Sequence, residues 1–323
     1  MPNKKLSLQL LWIVLAAGTL ALSGCGGGGG GSSSSLADGT YRNTISGDYA
    51  TEYNYQSMLS SVNPLSLNDY GYTGDGVRVA VVDSGIDSSH SEFDGKTILG
   101  YDFAGSASGY AADENGHGSH VASIIAGERD GTGMRGVAYD ASLYSYKVDN
   151  NGDSSLEGLS TDTQIADVFN RHVTDNIQVS NNSWGGSSRI TSATESSLRS
   201  SFPKTISALR AAQNNGTLLV FAAGNSGALQ PNYFGGMPLK IAELADEWLL
   251  VTAVDSNLKE TAYTDRCGDV WEFCVTAPGG GDSSSTDGIL AAEASGTYTR
   301  KSGTRSEEHT SELQSPCNLV CRL

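Results

Sequence analysis

Basic residues are scarce in this chain: 20 Lys and Arg stand against 36 Asp and Glu over 323 residues, a formal net charge of −16. A nucleic-acid binder needs a basic face to meet phosphates, and electrostatic docking on anionic lipid needs the same, so the balance argues against both. Cysteine is scarce too, with five residues unevenly spaced. That is too few for a disulfide-held scaffold, so the fold must rest on a hydrophobic core. Long apolar runs are missing after residue 22, proline occurs only 7 times, and no internal repeat is visible. The length has room for one large domain or two modest ones.

What is present begins with a leader. Lys4 and Lys5 precede an apolar run over residues 6–22, followed by Leu22-Ser23-Gly24-Cys25. A basic start, an apolar stretch and small residues before a break describe a secretory signal over residues 1–24; the run is marginal in length for a membrane span. Leu-Ser-Gly-Cys resembles the lipobox of bacterial lipoproteins, which implies cleavage before Cys25 and acylation of its thiol and new amino group. Several acyl chains, at about 0.8 kcal/mol per buried methylene, anchor firmly, so membrane lipid is an expected partner. Six glycines and four serines follow Cys25, making residues 25–35 a flexible tether. Gly26 rather than Asp after the cysteine implies, for lipoproteins of two-membrane bacteria, an outer-membrane or cell-surface destination.

Beyond an N-terminal extension over residues 36–70, short apolar runs alternate with helix-period segments through residues 71–304. The pattern predicts strands over 77–82, 141–148, 177–182, 217–223 and 248–254, and helices over 118–127, 161–175 and 203–214. In the second helix Ile165, Val168, Phe169 and Val173 fall on one face; in the third Pro203 opens and Gly216 closes. Strands alternating with helices mean an α/β fold, a mainly parallel sheet with helices on both faces, with sites at the carboxyl ends of the strands.

Three motifs stand at such ends. Asp83 follows the first run in Val81-Val82-Asp83-Ser84-Gly85-Ile86-Asp87; His117 opens a small-residue helix in Asn115-Gly116-His117-Gly118-Ser119-His120; Asn225 follows a strand in Ala222-Ala223-Gly224-Asn225-Ser226-Gly227. Taken singly they read as a turn or cap aspartate, a structural histidine and a left-handed turn. Together and in this order they resemble the subtilisin-like serine proteases, over roughly residues 70–304. The resemblance implies a three-layer subtilisin-like fold and hydrolysis of protein or peptide substrates. It implies His117 as general base, Asp83 as the residue that orients its imidazole, and Asn225 as an oxyanion donor. Ser183, Trp184 and Gly185 match the edge segment along which substrate backbone pairs, and Ala222, Ala223 and Gly224 the lining of the pocket before the cleaved bond. Trp184 stands where the family often has leucine, which bears on pocket size.

Other patterns carry less. His117 and His120 are three apart on a helix, but no Glu or Cys nearby completes a zinc site, and the family resemblance makes His120 buried and structural. Residues 149–153 lack the length and closing glutamate of a calcium loop, and residues 127–136 are short where several subtilases carry a calcium-binding insertion. No metal or cofactor is expected. Cys267 and Cys274 flank six residues and would close a small loop as a disulfide in an oxidising compartment, with buried free thiols as the alternative.

The family nucleophile is a serine in a Gly-Thr-Ser block that opens an apolar helix. Here Ser302-Gly303-Thr304 is followed by Arg305, a cation with no usable lone pair. Residues 305–315 hold one apolar side chain and resemble the conceptual translation of a sequencing-library adapter. The expectation is that the genuine frame is left after Thr304 and that residues 305–323, including Cys317 and Cys321, are not native. The chain as written is then an incomplete, poorly stable domain without its nucleophile, and inactive. A surface pseudoprotease that binds extended peptides without cutting them is the alternative. The short N-terminal extension, the lipobox, the tether and the cysteine pair also resemble passenger domains of autotransporter subtilases.

Overall fold

The computed structural model describes Glu52, Asn68 and residues 70–105, 112–149, 159–282 and 287–303. The chain divides into two units at Ile45/Ser46, and every described residue belongs to the second. Cys25, the tether, most of the extension, residues 150–153 and the tail from Thr304 onward lie outside the described residues.

Seven strands form one parallel sheet: β1 Arg78–Asp83, β2 Leu99–Asp102, β3 Ser142–Lys147, β4 Val179–Asn182, β5 Leu218–Ala222, β6 Trp248–Val254 and β7 Cys274–Pro278, in the order β2-β3-β1-β4-β5-β6-β7. Central strands of such a sheet are buried on both faces and read as continuous apolar runs. Five of the six residues of β1 are buried, and so are all four of β4. The alternating direction of side chains sends Ala80 and Val82 into a large core cluster with residues of α2 Asp162–Asp175 and α4 Pro203–Asn214. Val79 and Val81 point to the opposite face, where α1 His117–Ala126 packs on β1 and β3. The expected three-layer α/β subtilisin-like architecture is what the chain adopts.

Local chemistry sets the helix ends. The Thr161 hydroxyl accepts from the Gln164 amide at 3.3 Å and Asn176 closes α2 in the left-handed region, φ 52°. Pro203 occupies the first turn of α4, and Gly216, φ +87°, ends the connection to β5. Val173 departs from the expected face of α2: it is 38% exposed, and His172 is buried beside Ile165, Val168 and Phe169 instead. The ring of His172 fits there because both nitrogens are used, on Val168 O at 2.8 Å and Ser180 Oγ at 2.7 Å. Burial pushes its pKa down to about 4, so it is accommodated as the neutral imidazole.

The elements not anticipated are edge strands β2 and β7, the polar helix α3 Glu195–Ser201, and a hairpin of β8 Ile289–Glu293 with β9 Thr297–Lys301. The hairpin packs on α1, where Ala292 N donates to Ser123 Oγ at 3.0 Å. Strand β1 lies between β3 and β4, so the order of the chain through the sheet reverses around it. The crevice outside the carboxyl end of β1 is therefore the topological switch point, where open α/β sheets place their sites.

Candidate active site

Asp83 is the last residue of β1 and His117 the first of α1, 34 positions apart in sequence. His117 Nδ1 lies 2.6 Å from Asp83 Oδ1, and both side chains are buried. A carboxylate only accepts, so Nδ1 carries the proton and Nε2 is the basic atom. Nε2 is buried and makes no hydrogen bond. Burial of the ring works against its protonation, but the charge and hydrogen bond of Asp83 outweigh it and hold the pKa of His117 above the ordinary 6.5. Such an imidazole can take a proton at Nε2 and be stabilised as the cation by the carboxylate behind it.

Asn225 follows β5. Gly224 takes φ +120°, and a Cβ there would stand 2.1 Å from Asp265 Oδ2. Asp265 holds the turn: Oδ1 accepts from Ser226 N at 3.0 Å and Ala228 N at 2.7 Å, its own amide donates to Gly224 O at 2.7 Å, and its carboxylate pairs with Arg189. Burial raises the pKa of Asp265, with those amides and Arg189 pulling the other way. Asn225 is buried, and Gly303 arrives beside it, where a built Cβ would stand 2.8 Å from Asn225 Oδ1. The end of β9 thus delivers the chain to the turn that carries Asn225.

Asn232 joins the segment after β4 to the end of β5. Its amide nitrogen donates to Ala222 O at 2.9 Å and Ala223 O at 3.1 Å, and a Cβ on Gly185 would meet that nitrogen at 2.6 Å. Asn232 thus ties Gly185, which follows β4, to the carbonyls of Ala222 and Ala223 at the end of β5. Trp184 follows β4 in the same segment as Ser183 and Gly185. Its side chain is 2% exposed and sits among Phe234, Phe221 and Phe169, at ring-centroid distances of 4.9, 5.6 and 6.4 Å. The indole is therefore part of the core.

His120 is fully buried with Nε2 3.3 Å from Thr299 O, and burial, then Lys301 and His117, drive its pKa well below 6.5. Among the described residues no group of three or more His, Cys, Asp or Glu is arranged to hold a metal ion. Cys267 and Cys274 are joined as a disulfide with Cα atoms 5.8 Å apart, closing the loop before β7. Sequence reasoning missed Asp113, Asp265, Asn232 and Arg189. An isolated Asp or Asn in a polar loop reads as a turn residue, and the contacts that set these apart include long ones, Ser84 with Asp113 across 29 positions and Arg189 with Asp265 across 76.

A parallel sheet covered on both faces, with a buried carboxylate–imidazole pair at its switch point, defines the class: an α/β protein with its site at the strand ends. Residues 74–306 match the subtilase family (Peptidase_S8). Subtilisin DY of Bacillus licheniformis is 32% identical, covering 72% of this chain and 73% of the relative. An extracellular serine protease of Serratia marcescens is 28% identical over 79% of this chain, which spans only 27% of that relative's length. The nisin leader peptidase NisP of Lactococcus lactis, a solved structure, shares the fold with TM-score 0.63 at 17% identity, covering 83% of this chain and 82% of that one. This chain belongs to the subtilase family.

Proposed function

We propose that the intact protein is an exported, lipid-anchored serine endopeptidase whose nucleophile belongs at position 305. In this reading the serine hydroxyl attacks the scissile carbonyl carbon and its proton passes to His117 Nε2. Asp83 holds the imidazole in the required tautomer and stabilises the imidazolium. The tetrahedral oxyanion is met by the side-chain amide of Asn225, a contact that in subtilisin itself is worth ~2.7–4 kcal/mol. Collapse breaks the C–N bond, His117 returns the proton to the leaving amine, and water repeats the sequence to free the acyl group. Extended substrate lies along Ser183 and Gly185, with Ala222, Ala223 and Gly224 around the side chain before the cleaved bond.

The observation that carries this reading is the 2.6 Å contact of His117 with Asp83, its Nε2 left without a partner. Arg305 favours a second reading, a pseudoprotease that keeps the cleft and binds extended peptides uncut. Sequencing the locus across codon 305 in one long read separates the two. Serine at 305 predicts peptide hydrolysis and labelling by a fluorophosphonate; arginine followed by the same tail rejects the enzyme. As written, without the serine, turnover is expected to be lower by about 10⁶, the magnitude known from subtilisin.

Export and anchoring rest on residues 1–35. Expression in a two-membrane bacterium fed an alkynyl fatty acid is expected to label the wild-type chain and leave Cys25→Ser unlabelled and released from membranes.

A further inference from the structure

We infer that Asp113 is the positioning residue of the Asp83–His117 pair, the common acceptor that ties the strand carrying the aspartate to the helix carrying the histidine. The inference rests on reading those two residues as the working pair. Asp113 is buried, and its carboxylate takes five hydrogen bonds. Oδ1 accepts from Ser84 Oγ at 2.9 Å, Asn115 N at 3.0 Å and Gly116 N at 2.9 Å; Oδ2 accepts from Ser119 N at 2.8 Å and Ser119 Oγ at 2.7 Å.

The two hydroxyls make the arrangement reciprocal. Ser84 belongs to the aspartate segment, and its Oγ accepts from Gly118 N, in the histidine helix, at 2.9 Å. Ser119 belongs to the histidine helix, and its Oγ accepts from Asp87 N, in the aspartate segment, at 2.8 Å. A hydroxyl has one proton. Because both protons are committed to Asp113, both oxygens turn lone pairs toward the opposite segment's amides. The Gly118 amide would otherwise be a buried donor without an acceptor, at about 1–3 kcal/mol, and the part-buried Asp87 amide would lose its partner as well. Ser84 N also donates to Asp83 Oδ1 at 2.7 Å, so the same residue pins the carboxylate that His117 meets.

Only a group that accepts on both oxygens can do this. An amide at 113 presents N–H atoms to one hydroxyl, which must reverse and release its amide partner. The negative charge acts in the same direction, favouring the protonated ring of His117 alongside Asp83, while Lys301 of β9 opposes it and is itself paired with Glu293 of β8, beside Gly116, at 2.8 Å.

The test reads the imidazole itself, by ¹⁵N NMR of the full 323-residue chain, with His117→Gln assigning the signals. Two quantities are followed: the low-field Nδ1 proton of the short bond to Asp83, and the titration midpoint of the ring. Asp113→Asn is expected to broaden or remove the low-field proton and to lower the midpoint by about half to one pH unit. Asp94→Asn, which removes an exposed carboxylate elsewhere, is expected to change neither. An unchanged ring in folded Asp113→Asn overturns the inference, and so does an equal shift in Asp94→Asn. If Asp113→Asn does not fold, Ser84→Ala decides: loss of the low-field proton supports the inference and its persistence overturns it. No turnover is measured, so a failure here is distinct from a failure to find serine at 305.

Discussion

Gly118 lies so close to Gly85 that a Cβ on Gly118 would stand 2.0 Å from the Gly85 carbonyl oxygen. Backbone meets backbone there, between the end of β1 and the first turn of α1, and neither can yield without moving Asp83 from His117. Gly118→Ala is therefore expected to cost about 1–3 kcal/mol, the usual range for overpacking a tight contact. It should also lengthen the 2.6 Å contact. Urea denaturation gives the first quantity and the low-field imidazole proton the second; an unperturbed proton would refute the coupling.

Glu92 gives the protein a pH dependence of definite sign. Burial pushes its carboxyl from 4.5 up to about 7, against hydrogen bonds from Met134 N at 2.9 Å and Tyr298 Oη at 2.7 Å, with Asp130 and Glu52 adding to the rise. The folded state holds a proton that the unfolded chain releases, so this stabilisation is complete below pH 4.5 and lost as pH rises through 7. Unfolding free energies at pH 5 and pH 8 should differ more in the wild type than in Glu92→Gln, by about 2–3 kcal/mol. Parallel profiles would contradict it. His172 titrates at the acid end and is common to both proteins, so it cancels in the difference.

Asp265 makes a prediction about the turn that carries Asn225. Replacing it by alanine leaves Arg189 without its carboxylate and the amides of Ser226 and Ala228 without their acceptor. Breaking a buried pair from one side costs about 3–5 kcal/mol. Arg189 is partly exposed, 26%, so the lower end applies. Hydrogen exchange should report it locally, with the Ser226 and Ala228 amides losing protection in Asp265→Ala while the amides of β1 keep theirs. Uniform loss of protection would mean that the carboxylate supports the whole domain instead.

Much of this arrangement is legible in the sequence, and the parts that are not share a cause. Strands β1, β5 and β6 announce themselves because a parallel strand covered on both faces is apolar along its length, whereas β3 and β4 carry Ser, Lys and Asn among their residues and are legible only from their place in the alternation with helical segments. The hairpin β8–β9 does not, since Thr297–Lys301 is half-exposed and carries Arg300 and Lys301 among its five residues. Asp83, His117 and Asn225 can be found because their motifs are local. Asp113 cannot, because what distinguishes it from an ordinary turn aspartate is the pair of hydroxyls, Ser84 and Ser119, that the fold brings to it from either side. His172 replaces Val173 on the inner face of α2 for a similar reason: its burial depends on Ser180, in the next strand.

Trp184 separates core from pocket. The sequence ties it to the substrate segment, whereas its ring packs edge-on against Phe234 and Phe221 beneath that segment. The cost of shrinking it should then appear in stability and not in substrate preference. Trp184→Leu removes a large ring from a close-packed cluster and is expected to destabilise by about 2–4 kcal/mol, within the range for large-to-small core changes. In the intact enzyme proposed above, the ranking of peptide substrates by kcat/KM should stay the same, because a buried indole contacts no substrate side chain. Ala223→Val, which narrows the strand end at the pocket, should reorder that ranking. If Trp184→Leu reorders it as strongly, the indole reaches the cleft after all, and its place in the core would have to be abandoned.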